Sequence, residues 1–454
     1  MTSKAGAKWL EVLKPGDSGF EKAWDSLCAR QAAQPTESQV ADVAERVSQI
    51  RAGGDRALRS WIRSARGLDL DRFELPQEEW DQGCEAVEAS DRAALGKAAM
   101  RIREFQRKRV PSSWEMREEG GGSMGQRVRP LSRVAIVASA EGFMTATDLI
   151  MKASPASAVE VPEILFAAPT DSEGRVRPEL LMAARIAGVH RVYKLAGPEA
   201  VAAFAYGTGD LPRVDKVVLG EGSELEIARN ALSGVVGFCG DSGPREICLV
   251  ADKSAQPAWV AADLLAHAES GGRAQTILIT HLKGLLTKVQ DQLVRQMKNA
   301  GELGHAEQSL ATAGTAILTP NLETSMALAE IYAPEKLVLA VESPESVAKT
   351  VLNAGEIFMG HYTPPAVGAY LAGPATYRGG GGRARFESAL GIEDFLKRTH
   401  FVKFEPPKLR ELGAETMRLA ELADRPGHGN SVELRLQKIR RARREREQAR
   451  ESEL

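Results

Sequence analysis

The stretch that decides the fold is Glu330-Ile331-Tyr332-Ala333-Pro334-Glu335-Lys336-Leu337. Apolar residues before Pro334 recur at helical spacing, and the proline ends that helix because it cannot continue the backbone hydrogen bonds. The apolar run at 337–340 predicts a buried strand of a parallel sheet. Glu335 and Lys336 are therefore expected on a turn between two packed elements, a junction at which α/β enzymes often place chemistry. An ordinary solvated charge pair is the alternative.

Length and composition indicate a soluble globular protein with several domains. At roughly 100–200 residues per domain, 454 residues predict about three units. Hydrophobic residues make up 43% of the chain and charged residues 26%, which is typical of globular proteins. The formal net charge of −2 provides no bulk attraction to nucleic acid or to acidic lipid.

Cysteine usage and hydropathy indicate the compartment. Cys28, Cys84, Cys239 and Cys248 lie far apart and lack a Cys-x-x-Cys spacing. Neither a zinc knuckle nor a disulfide framework is predicted, and a reducing cytoplasm fits best. No run of about 18 apolar residues occurs, and the N-terminus lacks the apolar core of a signal peptide. We therefore expect neither membrane insertion nor export.

The chain begins with a helical segment from Gly19 to about Val110. Apolar residues between 40 and 50 recur every three or four positions, and Gly53-Gly54 predicts the end of that helix. Residues 114–128 predict a β-hairpin, because alternating apolar residues flank a turn made of three glycines at 120–122.

Two series of alternating strands and helices follow, and this alternation predicts parallel sheets covered by helices. The first series has predicted strands at 133–138, 163–168, 189–195 and 216–219. The second series has predicted strands at 247–250, 276–280, 315–319 and 337–340. We therefore predict an α/β fold with two Rossmann-like parallel units, a helical N-terminal segment and a small helical C-terminal tail.

The region after Phe386 is more polar than the rest of the chain. Residues 409–422 predict a polar helix with few core positions, and residues 435–454 are rich in Arg and Glu. The basic run at 440–446 has the charge to touch nucleic acid, but interleaved Glu and missing aromatics favour a solvated helix or a frayed tail. We expect no nucleic-acid partner.

Spaced motifs occur together in one order: Ala333-Pro334-Glu335-Lys336-Leu337, Phe358-Met359-Gly360-His361-Tyr362-Thr363-Pro364, Ala372-Gly373-Pro374, Ala384-Arg385-Phe386 and Asp394-Phe395-Leu396-Lys397-Arg398-Thr399. Jointly they resemble the histidinol dehydrogenase family, and the resemblance runs from about Gly53 to about Leu436. It implies a helical segment at 1–130 that packs with 240–385, a first Rossmann-like unit at 131–239, a second at 240–385, and a tail at 386–454. The resemblance further implies that the tail is exchanged between the subunits of a homodimer.

The resemblance implies Glu335 and Lys336 as the catalytic residues. The family has Glu-His at this position and uses the histidine as a base, whereas this chain has Glu-Lys. A lysine serves as a base near neutral pH only when burial without a counter-ion lowers its pKa. Glu335 supplies such a counter-ion, which argues against that role for Lys336.

The cofactor implied by the resemblance is NAD. No Gly-x-Gly-x-x-Gly motif follows a strand in this chain. The family instead uses a Tyr in the first strand, a Gln at the start of a helix and an Asn after a Gly-Pro-Gly turn. This chain has Val137, Glu199 and Gly222 at those positions, and each change removes a hydrogen-bonding group or alters its charge.

The metal implied by the resemblance is zinc. The family holds it with a Gln, a His three residues later, an Asp before a Tyr, and a His near the C-terminus. The matching positions in this chain are His267, Ser270, Ala369 and His428. Only two of them can serve as ligands, whereas catalytic zinc sites usually take three from the protein. A repaired site needs Glu421 or His361.

The substrate-binding positions implied by the resemblance are Arg245, His267, Thr376, Glu421 and His428. The family has Ser at the first of these positions, and Asn-His where this chain has Ala375-Thr376. Arg245, Lys336 and Ala369 replace Ser, His and Asp, so the pocket becomes more positive.

Arg378 and Arg383, in the glycine-rich loop that follows, add to this positive charge. We therefore expect the pocket to bind a small anion, because Arg and Lys recognise carboxylate and phosphate. The alternative is that these cations pair with Glu335, Glu246 and Glu199 and merely fill the site.

Two functions from different classes therefore remain open. The resemblance implies an NAD-dependent oxidoreductase of alcohols or aldehydes, L-histidinol to L-histidine in the family, with an altered substrate or activity in this chain. The alternative is a non-catalytic relative that binds a small anionic ligand or a protein partner. The unaltered family reaction is disfavoured, because residues that act as a unit usually lose their function together.

Overall fold

The computed structural model describes residues 9–29, 35–140, 144–241, 243, 245–271, 274–299, 304–374 and 379–452. The chain forms two compact units. We call Met1–Val110 with Pro130–Phe395 the body, and Pro111–Arg129 with Leu396–Leu454 the tail module.

The strands are β1 (Glu11–Leu13), β2 (Trp114–Glu118), β3 (Gly122–Pro130), β4 (Arg133–Val137), β5 (Glu163–Ala167), β6 (Arg191–Tyr193), β7 (Lys216–Leu219), β8 (Gly237–Gly240), β9 (Glu246–Ala251), β10 (Gln275–Thr280), β11 (Gly314–Leu318), β12 (Lys336–Ala340), β13 (Glu356–Met359) and β14 (Leu396–Phe404). The helices are α1 (Phe20–Ala29), α2 (Glu37–Arg66), α3 (Gln77–Glu85), α4 (Ala89–Arg107), α5 (Ala146–Ala158), α6 (Pro178–Ala187), α7 (Pro198–Tyr206), α8 (Ser223–Leu232), α9 (Pro257–Ala268), α10 (Lys283–Asn299), α11 (Gly304–Ala313), α12 (Leu322–Tyr332), α13 (Pro344–Ala348), α14 (Pro365–Tyr370), α15 (Pro406–Leu422) and α16 (Pro426–Ser452).

The first sheet of the body has five strands in the order β6-β5-β4-β7-β8, all parallel. Its strand order reverses between β4 and β7, and open α/β sheets bind ligands outside the carboxyl ends of the strands at such a switch point. Apart from Arg133 and Lys216 at their first positions, the residues of β4 and β7 are apolar and buried, because helices cover both faces of a parallel sheet.

The second sheet of the body has six strands in the order β1-β11-β10-β9-β12-β13, again all parallel. Its strand order reverses between β9 and β12. β9, β10 and β12 are buried along their whole length. The predicted α/β class, with two parallel units, is therefore confirmed.

The helical segment that precedes the sheets packs differently from the expectation. The apolar stripe of α2, from Val43 to Ile62, joins one core with strands and helices of the first sheet. Among the described residues of this segment, β1 and α1 join the second sheet, through pairing of β1 with β11 and burial of Phe20 and Trp24. The expectation that residues 1–130 pack with 240–385 is corrected accordingly, because local periodicity identifies an apolar face but not its partner.

The predicted helix end at Gly53-Gly54 is a kink. Gly54 has φ +51° and ψ −135°, outside the helical range, yet α2 resumes and continues to Arg66. The helix ends at Gly67, whose φ of +67° is a left-handed conformation that glycine adopts without steric cost.

The tail module combines a three-stranded sheet, in the order β14-β3-β2, with two helices. β2 and β3 form the predicted hairpin, in which Met116 pairs with Met124, and Gly120 and Gly121 in the turn have positive φ. β14 was not predicted, and its presence corrects the expectation of a purely helical tail. Most of its side chains are exposed, so it lacks the apolar alternation that marks a strand.

The two helices of the tail module pack closely on each other. A Cβ built on Gly413 of α15 would lie 2.7 Å from Leu436 of α16, so the glycine permits the approach. The Arg- and Glu-rich end of the chain is helical to Ser452. Of the two predicted alternatives, a solvated helix and a frayed tail, the structure shows the helix. Among the described residues, no helix is long and apolar enough to cross a membrane.

Candidate functional site

The predicted junction exists, and it is buried. α12 ends at Tyr332 and is capped by Ala333, which has a left-handed φ of +53°, and Lys336 begins β12. Glu335 has no exposed surface and Lys336 is 7% exposed, so the alternative of a solvated pair is wrong. The junction lies at the amino end of β12, whereas open α/β sheets bind ligands at carboxyl ends. The junction therefore lies at the edge of the sheet opposite to the one that this rule predicts.

Glu335 lies at the centre of a charged cluster. Its Oε1 is 3.3 Å from Lys336 Nζ and 3.8 Å from Arg245 Nη1. Its Oε2 accepts a hydrogen bond of 3.1 Å from the backbone N–H of Glu246. Oε1 makes ion pairs but no hydrogen bond of good geometry, so attraction at Oε1 is mainly coulombic. One carboxylate thus compensates two buried cations.

Arg245 links the two sheets. It directly precedes β9 of the second sheet, and its Nη2 is 2.6 Å from Oε2 of Glu221, which follows β7 of the first sheet. Burial lowers the pKa of the guanidinium, but Glu335, Glu221 and Asp241 outweigh burial and raise the pKa above its usual value. Arg245 is therefore a permanent buried cation with two acidic partners, one of them half exposed.

His267, a predicted substrate and metal position, belongs to the same cluster. It lies near the end of α9 and is 5% exposed. Burial lowers its pKa well below the ordinary value, and the nearby charges of Lys336 and Arg245 lower it further. Its Nε2 has no hydrogen-bond partner among the described residues. The imidazole is therefore neutral near pH 7, and its Nε2 is free to donate or accept one further hydrogen bond.

The predicted zinc positions do not form a ligand set. Ser270 is exposed beyond the end of α9, and Ala369 of α14 has no ligand atom. His428 lies in the tail module, where it is exposed. Within the described ranges, no group of three or more His, Cys, Asp or Glu side chains could hold a metal ion. These residues do not fit zinc.

The two residues considered for repair of the zinc site are engaged elsewhere. His361 follows β13, at the carboxyl edge of the second sheet, and its Nε2 is 3.0 Å from Ser254 Oγ. Glu421 is exposed in the tail module and pairs with Arg418 at 2.8 Å. His361 therefore lies at the opposite edge of the sheet from Glu335 and Lys336, which precludes a shared site.

Glu199, a predicted cofactor position, is buried and forms an ion pair with another residue of the chain. Glu199 lies in the first turn of α7, is 1% exposed, and accepts a hydrogen bond of 2.9 Å from Arg46 of α2. Burial raises its pKa, while a backbone hydrogen bond and Arg46 oppose the rise. The start of a helix favours an anion, and here the chain's own carboxylate takes that place.

The other two cofactor positions lie at the switch point of the first sheet. Val137 is the last residue of β4 and is fully buried, and Gly222 is the N-cap of α8. A Cβ on Gly222 would lie 2.7 Å from Oε2 of Glu224, and the Oε1 of the same carboxylate accepts a hydrogen bond from the hydroxyl of Ser139. Carboxylates therefore line both helix starts, and this arrangement does not fit the anionic pyrophosphate of a dinucleotide.

The glycine-rich loop closes over the cluster. The N–H of Gly381 donates a hydrogen bond of 2.8 Å to Oε1 of Glu246. Arg383, expected to add positive charge, is paired with Glu387 at 3.2 Å and with Glu226 at 3.6 Å. Ala375, Thr376 and Arg378 lie outside the described residues.

An open cavity of about 420 Å³ lies beyond this loop, at the carboxyl end of β8. Its wall includes Lys152 and Asp241, which form a buried ion pair with two contacts of 2.9 Å. Arg229 also lines the cavity, 3.5 Å from Oε1 of Glu387. Burial raises the pKa of the Cys239 thiol, so this part of the wall is uncharged.

Sequence reasoning did not identify this cavity. One signal was available, because Lys152 is a single cation within the otherwise buried, mostly apolar helix α5. Such a residue needs a partner, but Asp241 is 89 positions away and could not be identified from the sequence. Glu221, the partner of Arg245, was missed for the same reason.

Comparisons with known proteins show the family to which the chain belongs. The family model described as histidinol dehydrogenase matches residues 29–436. The histidinol dehydrogenase of Geobacter metallireducens is 36% identical over 432 residues, covering 94% of this chain and 98% of that protein. That of Thermus thermophilus is 38% identical over 387 residues, covering 85% and 92%.

A solved structure has the same fold. The crystal structure of histidinol dehydrogenase from Elizabethkingia anophelis covers 96% of this chain and 99% of its own, with a TM-score of 0.87 and 24% identity. The resemblance noted from the sequence motifs is confirmed by the family match over most of the chain. This protein belongs to the histidinol dehydrogenase family.

Proposed function

We propose that this protein is a member of the histidinol dehydrogenase family that binds a small anion and does not oxidise histidinol through zinc. The observation that carries the second part of this proposal, the loss of zinc-dependent oxidation, is the closed cluster in which Glu335 lies between Arg245 and Lys336. These residues occupy positions that the family uses for catalysis and substrate contact. Because each buried cation has an acidic partner, the cluster is complete without a ligand.

The proposed anion site is the neighbouring cavity and not this cluster, where the sequence led us to expect it. Arg245 and Lys336 were expected to hold the anion, but both are already compensated by Glu335 and Glu221. Arg229 differs, because its 3.5 Å contact with Glu387 is at the limit of a hydrogen bond. The other two cations of the lining, Arg109 and Lys152, are already paired with Glu393 and Asp241. A carboxylate or phosphate that enters this mixed-charge cavity therefore has to displace Glu387 and form a bidentate pair with the Arg229 guanidinium.

A second candidate is an NAD-dependent oxidoreductase with an altered substrate. It is favoured by the family match over residues 29–436 and by retention of Glu335, whose side chain is fully buried. It requires a dinucleotide to be accommodated beside Glu199, which burial and the pairing with Arg46 hold at the start of α7.

A thermal-shift experiment at constant ionic strength tests the binding proposal. Sulfate, phosphate and citrate should raise the melting temperature relative to chloride, and Arg229→Met should abolish the rise because it removes the guanidinium fork. Arg175→Met is the matched control, since Arg175 is an exposed cation of the body with its own acidic partners. No rise with any of these anions, or an equal rise in Arg229→Met, contradicts anion binding in the cavity.

An activity measurement separates the two candidates. The purified protein should form no NADH from NAD and histidinol, and metal analysis should find less than stoichiometric zinc. Turnover that a chelator abolishes would overturn the proposal. Turnover of another alcohol that survives the chelator would support the oxidoreductase candidate instead.

We also propose that the protein is a homodimer, in which the tail module completes the site of the neighbouring subunit. Support comes from the family resemblance and from the exposure of Glu421 and His428 on the tail module. Sedimentation should give the mass of two chains at micromolar concentration, and a monomer would contradict the assembly.

A further inference from the structure

The tail module has a surface groove of its own, lined only by residues of this unit. A groove of about 980 Å³ lies between residues 404–410 and one face of α16. We call it the tail groove. Along α16 its lining residues recur at 435, 438, 439, 442, 443, 446, 447, 449 and 450, which is the spacing of one helix face.

The tail groove depends on sequence that the family match does not include. The family model ends at residue 436, whereas α16 continues to Ser452. The groove residues Lys438, Ile439, Ala442, Arg443, Arg446, Glu447, Ala449 and Arg450 all lie beyond that end. The groove is therefore built mainly by an extension of α16 rather than by the shared fold.

The walls of the tail groove are strongly basic. Its cations are Arg410, Arg435, Lys438, Arg443, Arg446 and Arg450, and its acidic residues are Glu405 and Glu447. Arg443 pairs with Glu447 at 2.7 Å, and Lys403 pairs with Glu405 at 3.0 Å. Within the described part of the chain, Lys438, Arg446 and Arg450 have no acidic partner. The groove therefore presents uncompensated positive charge over 12 residues of helix, or about 18 Å.

The floor of the tail groove is apolar. Phe404 is 38% exposed, and Leu409 and Ile439 are half buried beside it. A basic rim around an apolar floor is complementary to a segment that has carboxylates on its sides and aliphatic residues on one face. Nucleic acid fits less well, because Phe404 is the single aromatic residue in the lining and base stacking uses aromatic rings.

We infer that the tail groove docks an acidic amphipathic helix of a partner protein. Its carboxylates meet Lys438, Arg446 and Arg450, and its aliphatic residues pack on Phe404 and Ile439. The inference does not rest on the anion site of the body, since every lining residue belongs to the tail module.

Fluorescence anisotropy with the full chain tests the inference. The probe is a labelled peptide of about 16 residues with leucines at i, i+3, i+4 and i+7 and glutamates elsewhere. Its control has the same composition, with the leucines spread around the helix. The full chain should bind the amphipathic peptide more tightly than the control, with an affinity that falls as salt rises.

Matched charge reversals locate the site. Lys438→Glu/Arg446→Glu/Arg450→Glu should weaken binding by about tenfold or more, because attraction becomes repulsion. Arg440→Glu/Arg441→Glu/Arg444→Glu reverses the same number of cations on α16 outside the groove lining and should have a smaller effect. Ile439→Ser should also weaken binding if the apolar floor is used. Circular dichroism checks that each variant keeps its helices.

Several results would overturn the inference. Equal weakening by both triple variants would show nonspecific attraction to a basic helix. Equal affinity for the two peptides would remove the role of the apolar floor. Tighter groove-dependent binding of single-stranded DNA or of vesicles with anionic lipid would assign a different ligand. A change of sedimenting mass in the groove variants would assign the groove to a second copy of the chain.

Discussion

The charged cluster of the body and the tail groove both contain several cations, but those of the cluster are buried and paired, whereas several of those in the groove are exposed and unpaired among the described residues. In the cluster, Arg245 and Lys336 are buried and share Glu335. In the groove, Lys438, Arg446 and Arg450 are exposed and have no acidic partner within the described residues. Burial makes an unpaired charge very costly, whereas solvent screens exposed charges at little cost. Pairing within the cluster is therefore required for the stability of the fold, whereas the cations of the groove remain available for binding.

The largest expected effect is loss of the carboxylate at the centre of the cluster. Glu335→Ala should lower the free energy of unfolding by about 3–5 kcal/mol, because two buried cations lose their shared partner. Urea denaturation measures the change. Glu342→Ala is the control near the other end of β12, where the pair with Lys253 is exposed, and it should change stability by less than about 1 kcal/mol. Equal losses in the two variants would contradict the distinction between buried and exposed charge.

The next effect tests whether the cluster as a whole stabilises the fold. Arg245→Met/Lys336→Met leaves Glu335 buried without a counter-charge and should destabilise the protein by several kcal/mol. Arg245→Met/Glu335→Leu/Lys336→Met removes all three charges, so it should restore stability to about the parent value or exceed it by about 1–4 kcal/mol. Thermal and urea denaturation compare the two variants. A triple variant less stable than the double variant would show that these charges stabilise the fold beyond their mutual pairing.

A smaller effect depends on pH and concerns the first sheet. The folded pKa of Glu199 is raised above 4.5, so the folded protein keeps this proton to higher pH than the unfolded chain. Stability from this group therefore falls as pH rises from about 4.5 through the folded pKa. Glu199→Gln should remove this decrease in the free energy of unfolding. The variant should therefore become more stable relative to the parent as the pH rises from about 4.5 through the folded pKa of Glu199. A parent and variant with parallel pH profiles would contradict the assignment.

The smallest effect is expected for charges of the tail module. Glu421→Gln removes the pair with Arg418, in which both side chains are 68% exposed. The free energy of unfolding should change by less than about 0.5 kcal/mol, since exposed helix pairs contribute little. Urea denaturation of the full chain provides the test. A loss of more than about 1 kcal/mol that depends on protein concentration would indicate that Glu421 lies in a subunit interface.

The elements predicted best were those with continuous burial. β9, β10 and β12 are buried throughout, and their apolar runs marked them as strands of a parallel sheet. β1 has three residues, and β14 is mostly exposed, so neither carries a periodic signal. Correct periodicity also did not identify packing partners, because α2 has a clear apolar stripe that faces the first sheet rather than the second.

The sequence predicted where the residues of the charged cluster lie, but not how their charges are paired. Glu335 and Lys336 lie at the predicted junction, and His267 and Arg245 lie with them. The expectation that the added cations hold an anion gives way to internal pairing with Glu335 and Glu221. Glu221 is 24 positions from Arg245, and Asp241 is 89 positions from Lys152. Neither separation is short enough for local sequence to pair the charges.

The sequence by itself determined the family and the alternation of strands and helices. Those features depend on residue identity and on local periodicity, which the chain displays directly. The tertiary structure decided which charges are buried and which partner each receives. It thereby separated a closed cluster at Glu335 from an open cavity at Arg229 and an exposed basic groove on α16. The physical reason is that the energy of a charge depends on burial and on neighbours brought from distant parts of the chain.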